Sequence, residues 1–219
     1  MKVTLSFERR LEDEKGVSAN TGKEWVSRQV LLRTLPQKEG DTSEYVQFST
    51  TNENVNLDGF NKNDIVDVEF SVRSGVSKNG NIWKFLTIDS IEPSSNSLPV
   101  TQPISIECFY DRIGMTRTGV GNIGTEWKLT EYVFFYRGKN GDILIPASSF
   151  SDAFHPDNWV GKRLSINVCL SGNKIDKPRY FTGFRLQKVS IMTDDIPQNA
   201  NNAPEIHYEN ISNEDELPF

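Results

Sequence analysis

Aromatic and basic side chains occur together at several places in this sequence, and the two kinds of group serve different parts of one chemistry. Trp25 and Trp127 each follow a glycine-rich stretch, and Trp83 lies in an apolar run with lysines nearby. Flat rings stack on nucleobases and Lys or Arg side chains neutralise phosphates, so a flexible strand is held without its sequence being read. These residues form the first candidate binding surface.

The face of each strand decides which rings reach a ligand, because successive side chains point to opposite faces. In the last apolar run of the first half, Leu86 is predicted to point inward, which leaves Trp83 and Phe85 outward. In the corresponding run of the second half, Leu186 is predicted inward, which leaves Phe181 outward. We expect Trp83 and Phe181 at matched outer positions, with packing beneath a loop as the alternative for each.

The runs that follow the other two tryptophans differ from each other. Val30 is predicted inward, so Trp25 is expected on the outer face. The run after Trp127 is apolar on both faces, with Tyr132 beside Val133, so both core and surface stay open for this ring. The predicted nucleic-acid-binding residues are Trp25, Arg28, Arg33, Arg73, Lys78, Trp83, Lys84, Phe85, Trp127, Lys128, Lys177, Arg179, Tyr180, Phe181 and Arg185.

The C-terminal segment carries the net charge of -6. From Asp194 to Phe219 there are seven acids and no Lys or Arg, whereas bases and acids nearly balance in the rest of the chain. Such asymmetry indicates an interaction tail on a globular body. The segment is polar and interrupted by prolines, which predicts disorder over 194–219.

The last residues combine acids, an apolar pair and a free carboxylate. They resemble the C-terminal tip of bacterial single-stranded-DNA-binding proteins, where acids precede a hydrophobic residue, Pro and Phe. The resemblance implies that a replication, recombination or repair protein clamps the acids with Arg or Lys and buries the terminal ring. The predicted partner-binding residues are Glu214, Asp215, Glu216, Leu217, Pro218 and Phe219.

The body of the chain repeats itself. GKEW at 22–25 matches GTEW at 124–127, and Ser74-Gly75 matches Ser171-Gly172 after an alternating run in each half. Further matches in the same order make an internal duplication the simplest interpretation. We therefore expect one domain over 1–92, a Pro- and Ser-rich linker over 93–103, a second domain over 104–193 and the tail over 194–219.

The period within each copy is two residues, which is typical of half-buried strands. Five strands per copy, with a connector after the third, predict an all-β chain of two tandem OB-fold-like barrels; a small sandwich or an SH3-like barrel remains the alternative. The predicted strands span 3–11, 24–34, 44–50, 64–73, 82–92, 104–112, 126–137, 142–147, 163–170 and 179–189.

Three segments of the body are similar to a small OB-like domain of Bacteroidetes and their phages. These are the G-x-E-W segment, the strand start at 63–68 and the Asn-Gly-x-x-Trp turn at 79–83. The second copy departs from this pattern, since Lys177 to Phe181 replace the tryptophan turn. The function of that domain is itself poorly defined, so the resemblance implies only the fold.

The composition of the chain narrows the classes of protein to which it could belong. Hydrophobic residues make up 36% of the chain, which favours two small domains over one large core. Two cysteines in alternating runs, two histidines and no metal-ligand spacing predict buried thiols and no metal or cofactor. No apolar run is long enough to span a membrane and no secretory signal is visible, so a cytoplasmic location in a bacterium or a phage-infected cell is expected.

These observations predict a non-enzymatic protein that protects single-stranded DNA and recruits partners through its tip. The near-neutral body keeps a second class open, a protein–protein adaptor that binds no nucleic acid. RNA as the ligand also remains open. Two domains in one chain predict a monomer or a homodimer.

Overall fold

A computed structural model describes residues 1–18, 21–36, 41–96, 100–121, 124–138, 141–176 and 180–192. Over these ranges the chain is built from β-strands, with a single 3₁₀ turn at Pro156–Asn158. The strands of the first half are β1 (Lys2–Arg10), β2 (Glu14–Val17), β3 (Glu24–Arg33), β4 (Tyr45–Thr50), β5 (Ile65–Val76) and β6 (Ile82–Pro93). Those of the second half are β7 (Ile104–Val120), β8 (Glu126–Gly138), β9 (Gly141–Ser149), β10 (Arg163–Ser171) and β11 (Gly183–Ile191).

The strands form two rings with the same order. In the first half the order is β1-β5-β6-β4-β3, and pairing of β1 with the C-terminal part of β3 closes the ring, while β2 pairs with the N-terminal part of β3. In the second half β10-β11-β9-β8-β7 form a closed barrel. Each ring has one parallel pair, β4 with β6 and β9 with β11. This confirms the prediction of two tandem five-stranded OB-like barrels and rules out the sandwich alternative.

Alternating apolar residues fill both barrels, as the two-residue period predicts. In β10 the residues Leu164, Ile166 and Val168 are buried, while the side chains between them point outward. Cys108 lies in the core as predicted, and burial raises the pKa of its thiol to about 12. Cys169 lies between inward residues of β10 and is only half buried, so the prediction of a buried thiol is wrong there.

Two strand boundaries differ from the sequence-based prediction by four residues or more, and β2 was not predicted. The strand expected over 104–112 continues to Val120, because it pairs with β8 along a hairpin that projects beyond the barrel. The strand expected over 179–189 begins only at Gly183, since the ladder between β10 and β11 stops at the Ser171–Gly183 pair. Both faces of the projecting hairpin are exposed, so it lacks the apolar alternation that marks a half-buried strand.

The two barrels bond to each other through corresponding strands. The Oγ of Ser74 accepts a hydrogen bond of 2.7 Å from the backbone N–H of Leu144 in β9. In the opposite direction, the Oγ1 of Thr182 accepts one of 2.8 Å from the N–H of Gln47 in β4. A hydroxyl of each barrel therefore accepts from a backbone N–H on β4 or β9 of the other barrel. Without the hydroxyl, that N–H on the strand edge would remain unpaired.

A second group of contacts surrounds the end of β10. The backbone of Asn173 pairs in both directions with that of Tyr45, at 2.7 and 3.1 Å. The carboxylate of Glu44 accepts from the N–H of Gly172 at 2.7 Å and lies 3.4 Å from Arg185. This part of the second barrel therefore packs directly on the first.

The predicted linker is anchored at its C-terminal side. Thr101 is buried, and its Oγ1 donates to the carbonyl of Thr4 at 2.8 Å while accepting from the N–H of Leu35 at 2.7 Å. The segment that leaves the first barrel thus bonds back to it. The domain limits 1–92, 93–103 and 104–193 stay a prediction, and the tail 194–219 lies outside the described residues.

Candidate nucleic-acid interface

Three tryptophans lie on hairpins, each directly across from a glycine of the neighbouring strand. The pairs are Trp25 with Gly16 between β3 and β2, Trp83 with Gly75 between β6 and β5, and Trp127 with Gly119 between β8 and β7. The ring extends over the glycine in every case, since a β-carbon on that glycine would lie 2.4 Å from Cζ2 of Trp25 and 2.5 Å from Cζ2 of Trp83 and Trp127. We call these the three Gly–Trp pairs.

The three rings keep part of their surface in solvent. Trp127 is 39% exposed, and Trp25 and Trp83 are half buried. Phe85 packs beside Trp83 with ring centroids 5.5 Å apart, and Phe150 meets Trp127 edge-on at 6.2 Å. The structure therefore places Trp127 on the outer face of its strand, a question that the sequence left open.

The Gly–Trp pairs have a signal in the sequence, a fixed spacing, that the prediction of outward rings did not include. A glycine precedes Trp25 by nine residues and precedes Trp83 and Trp127 by eight, which is the separation that a short hairpin needs. Trp159, which has no glycine at that distance, is buried and contacts Tyr110 and Tyr132 at ring-centroid distances of 5.5 Å. The spacing thus separates the three hairpin rings from the core ring.

A groove of about 140 Å³ lies on the outer face of the first barrel, where it meets the second. Its floor holds a polar chain in which the amide of Gln47 donates to Oε1 of Gln29 at 2.9 Å and the amide of Gln29 donates to Oγ of Ser27 at 3.0 Å. Phe85 lines one part of it, and Tyr180 of the second barrel lines another. The two glutamines have no signal in the sequence, because they meet only through the pairing of neighbouring strands.

The predicted basic residues that the structure describes fall into two groups. Arg73 and Lys128 are exposed, Arg73 across from Phe85 and Lys128 3.6 Å from Asp152, and Lys78 is exposed near the turn between β5 and β6. The remaining ones are held by protein groups, as follows: Arg28 donates to the carbonyl of Asn52, Arg33 lies 2.9 Å from Glu8, and Arg185 lies near Glu44.

Lys84 belongs to the second group for a different reason. Its ammonium is largely shielded from water at the junction of the barrels, and this burial lowers its pKa, while the charge of Glu131 acts in the opposite direction. A desolvated ammonium beside a carboxylate offers little to a phosphate.

The aromatic residues predicted in the second barrel do not form a fourth Gly–Trp pair. Phe181 is 71% exposed and precedes β11 instead of lying within it, so the expected match with Trp83 does not occur. The hydroxyl of Tyr180 bonds to Asp176 and accepts from Arg9 at 2.7 Å. Lys177, Arg179 and the tip residues 214–219 lie outside the described residues.

Two further features of the described residues bear on function. In the part of the chain that the structure describes, no group of three or more His, Cys, Asp or Glu side chains is arranged to hold a metal ion. No helix among the same residues is long and apolar enough to cross a membrane.

Comparison with known proteins gives a similarity of fold. No protein-family model matches the sequence, and no curated protein is similar to it. The wild-type single-stranded DNA binding protein from Thermus aquaticus is similar in structure, with a TM-score of 0.53, 10% identity and coverage of 93% of this chain and 98% of that one. A deletion mutant of the same protein matches with a TM-score of 0.50, 9% identity and coverage of 90% and 96%. At this identity the similarity establishes the fold alone.

Proposed function

We propose that this chain binds single-stranded DNA by stacking bases on the rings of Trp25, Trp83 and Trp127. The observation that carries the proposal is the set of three Gly–Trp pairs, which hold partly exposed rings on hairpins of both barrels. OB barrels bind oligonucleotides on the face of their second and third strands and on the loops that join strands one to two and four to five. The groove lies on that face, and the three ring-bearing hairpins are those loops. The likeness in fold to a single-stranded DNA binding protein supports the same role.

Phosphate contacts in this proposal come from the exposed cations near the rings. Arg73 faces the same side of the sheet as Trp83, and its guanidinium has no hydrogen-bond or ion-pair partner among the described residues. The outer face of β1 and β5 carries Asp67 and Glu69, which would repel a phosphate chain. The strand of DNA therefore runs along the hairpin side of the first barrel, away from this acidic face.

The tail has a separate part in the proposal. The tip Glu214–Phe219 recruits proteins of replication, recombination or repair, and the acids of 194–219 compete with DNA for the basic groups of the body. Removal of 194–219 should therefore tighten DNA binding at low salt, and unchanged or weaker binding would contradict the competition.

The deciding experiment is a titration of the protein with dT oligonucleotides at low and high salt, followed by tryptophan fluorescence. We expect quenching, affinity that falls with salt, and little binding of duplex DNA. Replacement of Trp25, Trp83 or Trp127 by Ala should each weaken binding by about 1–3 kcal/mol. Absence of binding at low salt would reject the proposal and favour the adaptor, while tighter binding of an rU oligonucleotide would identify RNA as the ligand.

A further inference from the structure

The internal duplication predicts four hairpin sites for a ring, two in each barrel, but the described residues form three Gly–Trp pairs. We propose that Gly16, Gly75 and Gly119 are positioning residues that hold the three indoles flat, and that the fourth site has become a contact between the barrels. The chain thus offers a nucleic-acid strand three prearranged stacking surfaces, two on the first barrel and one on the second. The nucleic-acid part of this inference rests on the proposed function.

The glycines act by leaving space. A β-carbon at Gly75 or Gly119 would approach the indole to 2.5 Å, and one at Gly16 would approach to 2.4 Å, closer than any real contact between carbon atoms. Trp83 and Trp127 also have an aromatic neighbour each, Phe85 and Phe150, and the glycine lies beneath the ring. An aromatic ring that covers a strand glycine also shields backbone that the glycine leaves exposed.

A ring held in this way presents one face to the sheet and the other outward. Its side-chain freedom is lost on folding and not on binding, so less ordering is required when a base arrives. Gly121 provides a contrast in the same hairpin as Gly119, because a β-carbon there would meet only the carbonyl oxygen of Thr125 at an ordinary 3.4 Å.

The surroundings of the fourth site explain why there are three Gly–Trp pairs and not four. Gly172 follows Ser171 as Gly75 follows Ser74, but a β-carbon at Gly172 would lie 1.8 Å from the backbone oxygen of Tyr45 in the first barrel. The next residue pairs with Tyr45 through its backbone, and the ladder between β10 and β11 ends before a ring could be placed across from this glycine. The Ser-Gly dipeptide thus lies under the ring of Trp83 in the first copy and contacts the other barrel in the second copy.

The first test measures ring position without DNA. Gly119→Ala should shift the indole N–H resonance of Trp127 in a ¹H–¹⁵N spectrum, and Gly121→Ala should leave it in place. An unchanged resonance in Gly119→Ala would overturn the positioning role. This readout does not depend on nucleic acid, so it decides the inference even if the protein binds none.

The second test measures affinity for a dT oligonucleotide. Gly119→Ala should weaken binding by about five- to hundredfold, close to the effect of Trp127→Ala, and Gly121→Ala should not. In a Trp127→Ala background the added Gly119→Ala should have no further effect; an equal loss there would show that the glycine acts through something other than the ring. If Trp127→Ala and Trp83→Ala both bind as well as the parent protein, the proposed function fails instead.

A separate control tests whether three rings, and not four, stack on bases. Phe181→Ala should change dT affinity less than twofold, whereas Trp83→Ala should weaken it about five- to hundredfold. Equal losses in the two variants would show that the second barrel's hairpin also stacks a base, and the count of three would be wrong.

Discussion

At the scale of single residues, the four tryptophans have two different surroundings. Trp159 is 6% exposed and packs against Tyr110, Tyr132, Phe134 and Phe154, with ring centroids 5.5 to 5.9 Å apart. The other three are hairpin rings that keep contact with water. Substitution of Trp159 should therefore affect mainly the stability of the fold, whereas substitution of a hairpin tryptophan should affect mainly DNA binding.

The first prediction concerns Trp159. Its replacement by Ala should lower the free energy of unfolding by about 3–5 kcal/mol, because a large buried ring is lost and a cavity remains. Trp127→Ala should lower it far less, since that ring is already partly in solvent. Denaturant titration of the two variants checks this, and similar losses would mean that the hairpin is part of the cooperative core.

The second prediction concerns Arg73. Arg73→Gln should weaken dT binding and lower the slope of log affinity against log salt by about one, because one phosphate contact is removed. Lys2→Gln is the matched control, since Lys2 is also exposed but lies across from Glu69 on the acidic face. Equal effects of the two substitutions would place the DNA elsewhere on the first barrel.

At the scale of elements, corresponding hairpins of the two barrels have different tasks. The ladder of β5 and β6 continues to the Val76–Ile82 pair, which carries Trp83 outward from the barrel. The ladder of β10 and β11 stops earlier, and the residues beyond it bond to β4 of the first barrel. Both hairpins therefore contact the other barrel, through Ser74 and through Asn173, but only the ladder of β5 and β6 continues past that contact to present a ring.

The third prediction tests the docked hairpin. Gly172→Ala should lower the melting temperature by several degrees, because the new methyl group would overlap the carbonyl of Tyr45 and break the backbone pairing with Asn173. Gly121→Ala should have a small effect, since its β-carbon has room. A Gly172→Ala protein as stable as the parent would show that this contact contributes little.

At the scale of the whole molecule, a surface network joins the barrels beside the groove. Both Nη atoms of Arg9 donate to the carboxylate of Asp176, at 2.6 and 3.0 Å, and Tyr180 adds its hydroxyl. These hydrogen bonds lower the pKa of Asp176 from 3.8 to about 2. The pair is exposed, so salt screens it and its contribution to stability is small.

The fourth prediction follows from the sign of that shift. The folded-state pKa of Asp176 lies below that of an unfolded carboxyl, so the contribution is complete above pH 4 and is lost as the pH falls towards 2. Titration of the side-chain carboxyl by NMR should give the low value, and Arg9→Gln should return it towards 3.8. A titration that Arg9→Gln leaves unchanged would exclude the pairing in solution.

The sequence by itself determined most of the strands and their duplication, because burial of one face of a strand imposes a two-residue period along the chain. The closure of each copy into a barrel, which the sequence left open against a sandwich, was decided by the strand pairing. It also identified Trp25 and Trp83 as outward rings, since their neighbours Val30 and Leu86 are buried in the core. These features depend on residues that are close in the chain, so a local pattern records them.

Only the tertiary structure decided which predicted residues can meet a ligand. Gly119 lies under Trp127, Lys84 lies near Glu131, and Tyr180 bonds to Arg9 because strands far apart in the chain meet in a particular register. A one-residue change of register would move each of these side chains to the other face. Local alternation is the same in both copies of the duplication, and it is the packing of one barrel on the other that leaves three ring sites and converts the fourth into a contact.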